Sequence, residues 1–230
     1  MKLEGRKKEI FDILSERKRV SVSELSKLMY VTEMTVRRDL TEMEKQGLIK
    51  RYRGGAVFLP QSEQIPISQR VYLDEEQKRK LGKEAQKYLS DNMVVFIDSS
   101  STCLFVISHM KKYSNIKIIT NSVKALLVAS ELHIPCFLIG GDYYEEDMCF
   151  VGSVAEMYAQ NVNVDVAFFS ARGITEDGII TDPVMDQSAV RLHIMKNSGC
   201  NVFLFEKSKV GKKYTHTVCR SEEVDEVIIM

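Results

Sequence analysis

The chain has 230 residues, of which 44% are hydrophobic and 28% are charged, a balance typical of a soluble globular protein with room for more than one domain. It contains no run of about 18 apolar residues and no apolar stretch near its start, so neither a transmembrane helix nor a signal peptide is expected, and the chain is predicted to be cytoplasmic. Its formal net charge is zero, yet residues 1–60 carry 14 Lys and Arg against 9 Asp and Glu, a net of +5, whereas residues 61–230 carry 18 against 23, a net of −5. A basic N-terminal part is typical of a surface that meets DNA phosphates, although five surplus charges are also compatible with a solvated surface.

Cysteine and histidine show neither a disulfide framework nor a metal-binding pattern. The five cysteines form no CxxC pair and their number is odd, so they are predicted to be free thiols that are mostly buried. The four histidines are scattered, and no ligand spacing is found among them. No metal site and no cofactor are therefore predicted.

Three short helices are predicted at the N-terminus. Apolar spacing predicts the first over about 5–17 and the third over about 33–46, with Thr32 as the N-cap of the third. The second lies between them, with Ser23 as its N-cap. The residues predicted to face the core are Ile10, Ile13 and Leu14 of the first helix, Leu25, Leu28 and Met29 of the second, and Val36, Leu40 and Met43 of the third.

A hairpin is predicted after the third helix. Residues 48–52 and 56–58 are its expected strands, joined by a turn that contains two glycines. Three helices and a hairpin predict a winged helix-turn-helix domain over 1–58. Residues 59–73 hold two of the four prolines and are predicted to be a linker.

The third helix is predicted to read DNA. Because Val36, Leu40 and Met43 face the core, the opposite side of the helix is exposed; arginine there pairs bidentately with guanine, and threonine contacts a thymine methyl group or a phosphate. Basic residues of the hairpin are expected to meet the DNA backbone or the minor groove. An ordinary amphipathic helix with a solvated charged face explains the same periodicity. The predicted DNA-binding residues are Thr32, Met34, Thr35, Arg37, Arg38, Lys50, Arg51 and Arg53.

Helical and strand patterns alternate over 74–230. Such alternation predicts a mostly parallel sheet covered by helices, so the chain is assigned to the α/β class with an appended helix-turn-helix domain. A helix over 74–90 begins this domain, and a long loop is predicted over 170–185. Strands are predicted over 93–97, 116–120, 134–139, 164–169, 201–205 and 224–230, and further helices over about 122–131, 152–161 and 186–197 and in the segment that ends near 110.

Polar residues follow several of these strands, at the edge where open α/β sheets bind their ligands. Residues 98–102, with the sequence DSSST, come directly before a predicted helix. Backbone N–H groups at a helix start form an anion site together with hydroxyl groups, so a phosphate is expected on Ser100, Ser101 and Thr102. The alternative is a polar turn that only caps the helix.

The N-terminal motifs resemble the DeoR family of bacterial regulators. The segments VSEL over 22–25, VTEMTVRRDL over 31–40 and LIKRYRGGA over 48–56 carry the likeness. Arg53 departs from the family pattern, which usually has His there, but the positive charge of the wing is kept. The resemblance implies a transcriptional regulator that binds operator DNA.

The strand ends of the C-terminal part resemble the DeoR sensor domain, which is similar in fold to ribose-5-phosphate isomerase. The segments TNS over 120–122, FFSARGI over 168–174 and SKVG over 208–211 lie in the family's order, so the likeness spans nearly the whole chain. It implies a phosphorylated sugar effector and a homodimer or homotetramer. By this resemblance the effector pocket includes Asp98, Ser101, Thr102, Asn121, Arg191 and Lys209, to which the anion argument adds Ser100.

Three departures from the family pattern fall in this pocket. The family usually has Gly-Ala-Asp-Gly at 170–173, Lys at Arg191 and Asp-Ser-Ser-Lys at 206–209. Because Arg172 replaces a carboxylate with a guanidinium, it is predicted to face a second anionic group of the effector, such as a bisphosphate or a phosphorylated sugar acid. The alternative is that Arg172 turns outward or pairs with one of three acidic residues, Glu176, Asp177 or Asp182.

Three functions are compatible with these motifs. The favoured one is a repressor, or an activator, of a carbohydrate operon whose operator affinity is set by a sugar phosphate. An isomerase-like enzyme with a DNA-binding head is the alternative, but it needs a carboxylate base, and Arg172 replaces the nearest acidic residue, so no enzymatic activity is expected. A regulator with a degenerate pocket that responds to a protein partner is the third.

Overall fold

The computed structural model of the chain describes residues 5–58 and 65–230. They form two compact units, which meet in the sequence between Leu73 and Asp74. Among the described residues, no helix is both long enough and apolar enough to cross a bilayer. All five cysteines are free thiols, and Cys103, Cys149 and Cys219 are buried.

The N-terminal unit combines helices with a three-stranded antiparallel sheet. Its strands lie in the order β1-β3-β2, so the hairpin formed by β2 and β3 is joined to the strand that precedes the second helix. The helices are α1 (Arg6–Arg17), α2 (Val22–Leu28), α3 (Glu33–Lys45) and α4 (Ile67–Arg70), and the strands are β1 (Arg19–Ser21), β2 (Lys50–Tyr52) and β3 (Gly55–Val57).

The apolar stripe of α3 explains how this unit holds together. Val36, Leu40 and Met43 are fully buried, which confirms the predicted inward face and leaves the opposite face exposed. The prediction that Leu28 faces the core is wrong: 42% of it is exposed, because α2 ends there. The predicted N-cap Ser23 is also wrong, since Ser21 is the N-cap, in a capping box with Glu24.

Part of the predicted linker packs against the N-terminal unit. Ser68 and Gln69 of α4 donate side-chain hydrogen bonds to the carbonyl oxygen of Gly47, at 3.3 and 3.1 Å. The ring of Tyr72 lies 5.5 Å from that of Phe11, between centroids. Residues 59–64, the rest of the predicted linker, lie outside the described residues.

The C-terminal unit is built on a six-stranded parallel sheet with the strand order β14-β12-β9-β4-β5-β6. This confirms the predicted parallel α/β class. The sheet strands are β4 (Val94–Ile97), β5 (Lys117–Thr120), β6 (Cys136–Leu138), β9 (Val166–Phe169), β12 (Asn201–Phe205) and β14 (Glu226–Ile229), and the helices are α5 (Glu75–Ala85), α6 (Leu104–Ile107), α7 (Val123–Glu131), α8 (Gly152–Ala159) and α9 (Met185–Lys196).

Two smaller sheets are absent from the sequence-based prediction. The hairpin of β7 (Asp142–Tyr144) and β8 (Cys149–Val151) lies between β6 and α8. The strands β10 (Gly173–Ile174), β11 (Ile179–Asp182) and β13 (His216–Arg220) form a three-stranded antiparallel sheet. The first two fall inside the predicted loop 170–185, because strands of two to four residues among Gly and Asp show no alternation long enough to detect.

Candidate functional site

The N-terminus of α3 is an exposed tip. Thr32 is its N-cap, and its hydroxyl accepts a hydrogen bond from the backbone N–H of Thr35 at 3.3 Å. Met34, in the first turn, is 81% exposed. The exposed N–H groups and partial positive charge at such a helix start favour contact with an anion such as a DNA phosphate.

The outward face of α3 carries both predicted arginines. Arg37 and Arg38 are exposed, and Arg37 pairs through Nη2 with Glu33 Oε2 at 3.1 Å, one turn earlier. An exposed pair of this kind contributes little to stability and is easily exchanged for another anion. Thr32, Met34, Arg37 and Arg38 are exposed and Thr35 is half-buried, whereas Val36, Leu40 and Met43 of the same helix are fully buried.

An ion pair that the sequence reasoning missed fixes the position of α3. Asp39 is buried, and its Oδ2 accepts from Nε of Arg6 on α1 at 2.5 Å. The hydrogen bond and the charge of Asp39 raise the pKa of Arg6. The aspartate of the Arg-Arg-Asp-Leu motif was a usable signal, because it falls on the inward side of α3 between Val36 and Leu40.

The three predicted wing residues differ in their exposure and contacts. Lys50 and Arg53 are exposed, as expected of backbone-contacting residues. Arg51 is half-buried and turned towards α3: its Nη1 donates to Thr41 Oγ1, and its backbone N–H donates to Glu44 Oε1 at 2.8 Å. Arg51 is therefore engaged within the domain, unlike the other two.

The base of the wing is closely packed. The guanidinium of Arg19 lies 4.1 Å from the centre of the Tyr52 ring, a cation–π contact that the sequence reasoning missed. A Cβ atom on Gly55 would lie 2.5 Å from the carbonyl oxygen of Val20, so only glycine fits there. These contacts pack the base of the β2–β3 hairpin against β1.

In the C-terminal unit, the predicted anion-binding segment lies at the carboxyl end of β4. Ser100, Ser101 and Thr102 are all buried, and Ser100 Oγ accepts from the backbone N–H of Cys103 at 3.2 Å. Asp98, also buried, accepts from the backbone N–H groups of Ser99 and Ser170, at 2.7 and 3.3 Å. The loops that follow β4 and β9 therefore meet at one edge of the sheet, where a ligand was predicted.

Arg191 lies between two carboxylates. Its Nε is 3.2 Å from Asp98 Oδ2, its Nη1 is 2.9 Å from Asp182 Oδ2, and all three side chains are at most 3% exposed. Burial disfavours the charged guanidinium, but Asp98 and Asp182 outweigh it and raise the pKa of Arg191. Burial also raises the pKa of Asp98, against the opposing effect of Arg191. Arg191 lies beside the segment predicted to bind the effector, but its positive charge is already balanced by Asp98 and Asp182.

Arg172 has a partner that the sequence reasoning did not consider. Its Nη2 lies 3.2 Å from Oδ1 of Asp147, in the turn of the β7–β8 hairpin. Gln187 links this pair to the previous cluster, because its Nε2 donates to Asp147 Oδ2 at 2.7 Å and its Oε1 accepts from Arg191 at 3.2 Å. Arg172 therefore pairs with Asp147 rather than with Glu176, Asp177 or Asp182, the three partners considered from the sequence.

Lys209 belongs to a second charged cluster, in which two ammonium groups share one carboxylate. Lys209 Nζ lies 2.8 Å from Glu206 Oε2, and Lys78 Nζ lies 3.3 Å from Oε1 of the same residue. Lys209 also donates to Ser170 Oγ at 2.8 Å and to Thr102 Oγ1 at 3.2 Å. Burial opposes the charge of Glu206, but the two lysines together lower its pKa to about 2.

Lys78 was missed by the sequence reasoning, and Glu206 was considered only as a departure from the family pattern. Lys78 is 3% exposed and lies three and seven residues before Leu81 and Ala85, on the buried face of α5. A lysine at an inward position of an amphipathic helix was the available signal, since a buried lysine needs a charged partner. Glu206 directly follows β12, the same position at a strand end as Asp98.

Asn121 adds an acceptor to this edge of the sheet. Its Nδ2 donates to the carbonyl oxygen of Phe150 at 2.9 Å, which joins it to the β7–β8 hairpin. Its Oδ1 is buried and has no hydrogen-bond partner within the described parts of the chain. Because an unpaired buried acceptor is costly, this oxygen is suited to receive a hydroxyl or N–H donor.

Comparison with known proteins identifies both units. Residues 6–62 match the DeoR-like helix-turn-helix domain, and residues 73–229 match the DeoR C terminal sensor domain. The chain belongs to the DeoR family. This DeoR-family chain is therefore a DNA-binding transcriptional regulator, in which the exposed face of α3 belongs to the helix-turn-helix domain and the buried charged clusters belong to the sensor domain.

Similar regulators are known from several bacteria. The regulator resembles GolR of Listeria innocua, with 27% identity over 97% of this chain and 89% of the relative. It is 26% identical to the lactose phosphotransferase system repressor of Staphylococcus epidermidis, over 96% and 89% of the two chains. The glycerol-3-phosphate regulon repressor of Escherichia coli is 26% identical over 92% and 84%.

Solved structures with a similar fold include ribose 5-phosphate isomerase A of Methanocaldococcus jannaschii. The TM-score is 0.45 at 21% identity, over 60% of this regulator and 55% of the isomerase. The enzyme from Neisseria gonorrhoeae gives 0.43 at 16% identity, over 59% and 53%. The regulator spans about half the length of these isomerases, and the distant likeness does not show an enzymatic activity.

Proposed function

We propose that this regulator represses a carbohydrate operon and that a sugar monophosphate controls its affinity for operator DNA. The observation that carries the sensing half is the cluster of Lys78, Lys209 and Glu206, in which two ammonium groups face one carboxylate. The ammonium group of Lys209 is suited to a phosphate, with the hydroxyl of Ser101 as a further donor. The repressors of sugar-related operons among its relatives support the same assignment.

The charge balance favours one phosphate rather than two. Arg172 is already paired with Asp147, and Arg191 is paired with Asp98 and Asp182. The reason for expecting a second anionic group at Arg172 is therefore removed. The unpaired Oδ1 of Asn121 instead offers an acceptor, which suits a hydroxyl group of a sugar.

Operator binding is proposed to involve the exposed tip and outward face of α3, with Lys50 and Arg53 of the wing on the DNA backbone. Two copies of the regulator are proposed to occupy two half-sites, since helix-turn-helix proteins usually read DNA as dimers. Light scattering with and without operator DNA measures this stoichiometry. A single monomer on a complete operator would contradict it.

The decisive experiment measures the affinity of the regulator for DNA from its own upstream region by fluorescence anisotropy. Sugar monophosphates, the corresponding sugars without phosphate and a sugar bisphosphate are added in turn. The proposal predicts that monophosphates shift the DNA affinity and that the unphosphorylated sugars do not.

Matched variants locate the response. Lys209→Gln is expected to remove the response to the monophosphate, whereas Lys207→Gln, an exposed neighbour, keeps it. A response to the unphosphorylated sugar of equal size contradicts the phosphate site. If calorimetry detects no binding of any phosphorylated sugar while DNA binding persists, the sensing proposal fails and the DNA-binding function stands. Turnover of a sugar phosphate by the purified chain would favour the enzymatic alternative.

A further inference from the structure

Tyr30 is the residue of the DNA-binding unit that the fold explains least. It lies in the turn between α2 and α3 with φ at 53°, a left-handed conformation that favours glycine or asparagine and is unfavourable for a bulky residue. Its side chain is 95% exposed, so no burial offsets this conformation. Across residues 5–58 and 65–230, no hydrogen bond, ion pair or ring contact involves it.

The other tyrosines of this unit are used by the fold. Tyr52 packs against the guanidinium of Arg19, and Tyr72 packs against the ring of Phe11. Tyr30 therefore differs from both, because its aromatic ring contributes nothing to the folded domain. The left-handed φ ends α2, where the N–H of Val31 donates to the carbonyl oxygen of Ser26 at 3.2 Å, so it is the exposed ring that indicates a role outside the domain.

The position of Tyr30 indicates where that role lies. It comes two residues before the N-cap Thr32, so its Cα lies at most about 7.6 Å from that of Thr32. Met34, on the other side of the cap, is 81% exposed. Tyr30 and Met34 therefore flank the exposed N-terminus of α3, the end of the reading helix that approaches the bases and is bordered by the two DNA backbones.

We propose that Tyr30 binds the sugar-phosphate backbone of the operator beside the N-terminus of α3. Its hydroxyl donates a hydrogen bond to a phosphate oxygen, and its ring packs against a deoxyribose. Tyrosine is one of the side chains that commonly contact phosphate, and its ring is rigid, so little conformational entropy is lost on binding. The inference rests on the proposed orientation of α3 towards DNA, and it adds a positioning contact outside the predicted surface.

The test uses substitutions whose effects on folding and binding have opposite signs. Tyr30→Gly relieves the left-handed strain and is expected to raise the thermal midpoint while it weakens operator binding about tenfold. Tyr30→Asn tolerates the same backbone conformation, so it is expected to weaken binding similarly without adding the flexibility of glycine. Tyr30→Phe isolates the hydroxyl and is expected to lose several-fold in affinity.

Two further readouts distinguish a backbone contact from a base contact and from a change in backbone strain. The hydroxyl is uncharged and releases no counterion, so Tyr30→Phe is expected to leave the slope of log affinity against log salt unchanged and to weaken operator and non-operator DNA equally. His133→Gly is the matched control, since His133 is exposed with φ at 57° but lies in the sensor unit; it is expected to gain stability and keep the parental DNA affinity.

Arg38→Ala in the same assay separates the Tyr30 contact from the orientation of α3 on which it rests. If Arg38→Ala loses affinity while Tyr30→Gly, Tyr30→Asn and Tyr30→Phe bind like the parent, the Tyr30 contact does not exist and the orientation of α3 stands. If Arg38→Ala also binds like the parent, the proposed reading face itself is wrong. Normal DNA affinity together with lost repression in a transcription assay would assign Tyr30 to a protein partner and overturn the backbone contact.

Discussion

The two units of the regulator use arginine in opposite ways. In the DNA-binding unit, Arg37 and Arg38 are exposed, and Arg37 holds only a neighbouring glutamate on the same helix. In the sensor unit, Arg191 is 3% exposed and lies between two carboxylates. Exposed arginines remain available to a partner, whereas a buried one fixes the loops around it. Replacing an arginine is therefore expected to weaken DNA binding in the DNA-binding unit and to lower the stability of the fold in the sensor unit.

Truncation of Arg191 is expected to have the largest effect. Arg191→Met leaves Asp98 and Asp182 buried without their shared cation, and loss of one partner from a buried ion pair costs about 3–5 kcal/mol. Arg38→Met is the matched control and is expected to change the free energy of unfolding by less than about 0.5 kcal/mol. Urea denaturation of the full chains measures both. Equal unfolding free energies for Arg191→Met and Arg38→Met would contradict the proposed difference between the buried and the exposed arginines.

The stability contributed by Glu206 is expected to depend on pH. Its folded-state pKa is lowered from an ordinary 4.5 to about 2, so its ionisation stabilises the fold above pH 4.5, and this stabilisation is lost as the pH falls towards 2. A shift of this size corresponds to about 3 kcal/mol. The gap in unfolding free energy between the parent and Glu206→Gln should therefore be constant above about pH 5 and narrow below it.

The exposed Glu222 supplies the control for this measurement. Glu222→Gln is expected to change the unfolding free energy by less than about 0.5 kcal/mol, because substitutions of exposed residues usually have small effects on stability. A difference in unfolding free energy between the parent and Glu206→Gln that stays constant down to about pH 3 would contradict the assignment of Lys78 and Lys209 as the source of the stabilisation.

On the DNA-binding side, Arg37→Ala and Arg38→Ala are expected to weaken operator binding by about 1–3 kcal/mol each if the arginines contact bases. Their unfolding free energies should stay within about 0.5 kcal/mol of the parent. Gel shifts at fixed salt, beside urea denaturation, measure the two quantities. A double alanine variant that folds normally and binds the operator as tightly as the parent would show that another surface reads the DNA.

The smallest effects on DNA affinity are expected for substitutions in the wing. They also distinguish the roles of three basic residues that are similar in the sequence. Lys50→Ala and Arg53→Ala should each flatten the slope of log affinity against log salt by about one unit, one per lost phosphate contact. Arg51 is hydrogen-bonded to Thr41, so Arg51→Ala should lower stability and leave the slope nearly unchanged. A slope change for Arg51→Ala as large as for Arg53→Ala would mean that Arg51 leaves α3 to bind DNA.

Much of the DNA-binding unit was predictable because its information is local. The 3.6-residue period that buries Val36, Leu40 and Met43 also determines which side of α3 is exposed. The cap at Thr32 and the glycines of the hairpin have their signals within a few residues. One error arose where two polar residues competed for one role, as Ser21 and Ser23 did for the N-cap of α2, and the other concerned Leu28, at the last residue of that helix.

In the sensor unit, the sequence by itself determined the alternation of strands and helices and the polar residues at strand ends, because both are local patterns. Only the tertiary structure decided which charges meet. Asp98 and Arg191 are 93 residues apart in the sequence, and Thr102 and Glu206 are 104 apart. Arg172 and Asp147 are 25 residues apart, and Asp147 lies on a hairpin that the sequence pattern did not predict. Many acidic residues were available to each arginine, and long-range packing of the loops selected its partners, since a buried charge must be matched wherever the fold places it.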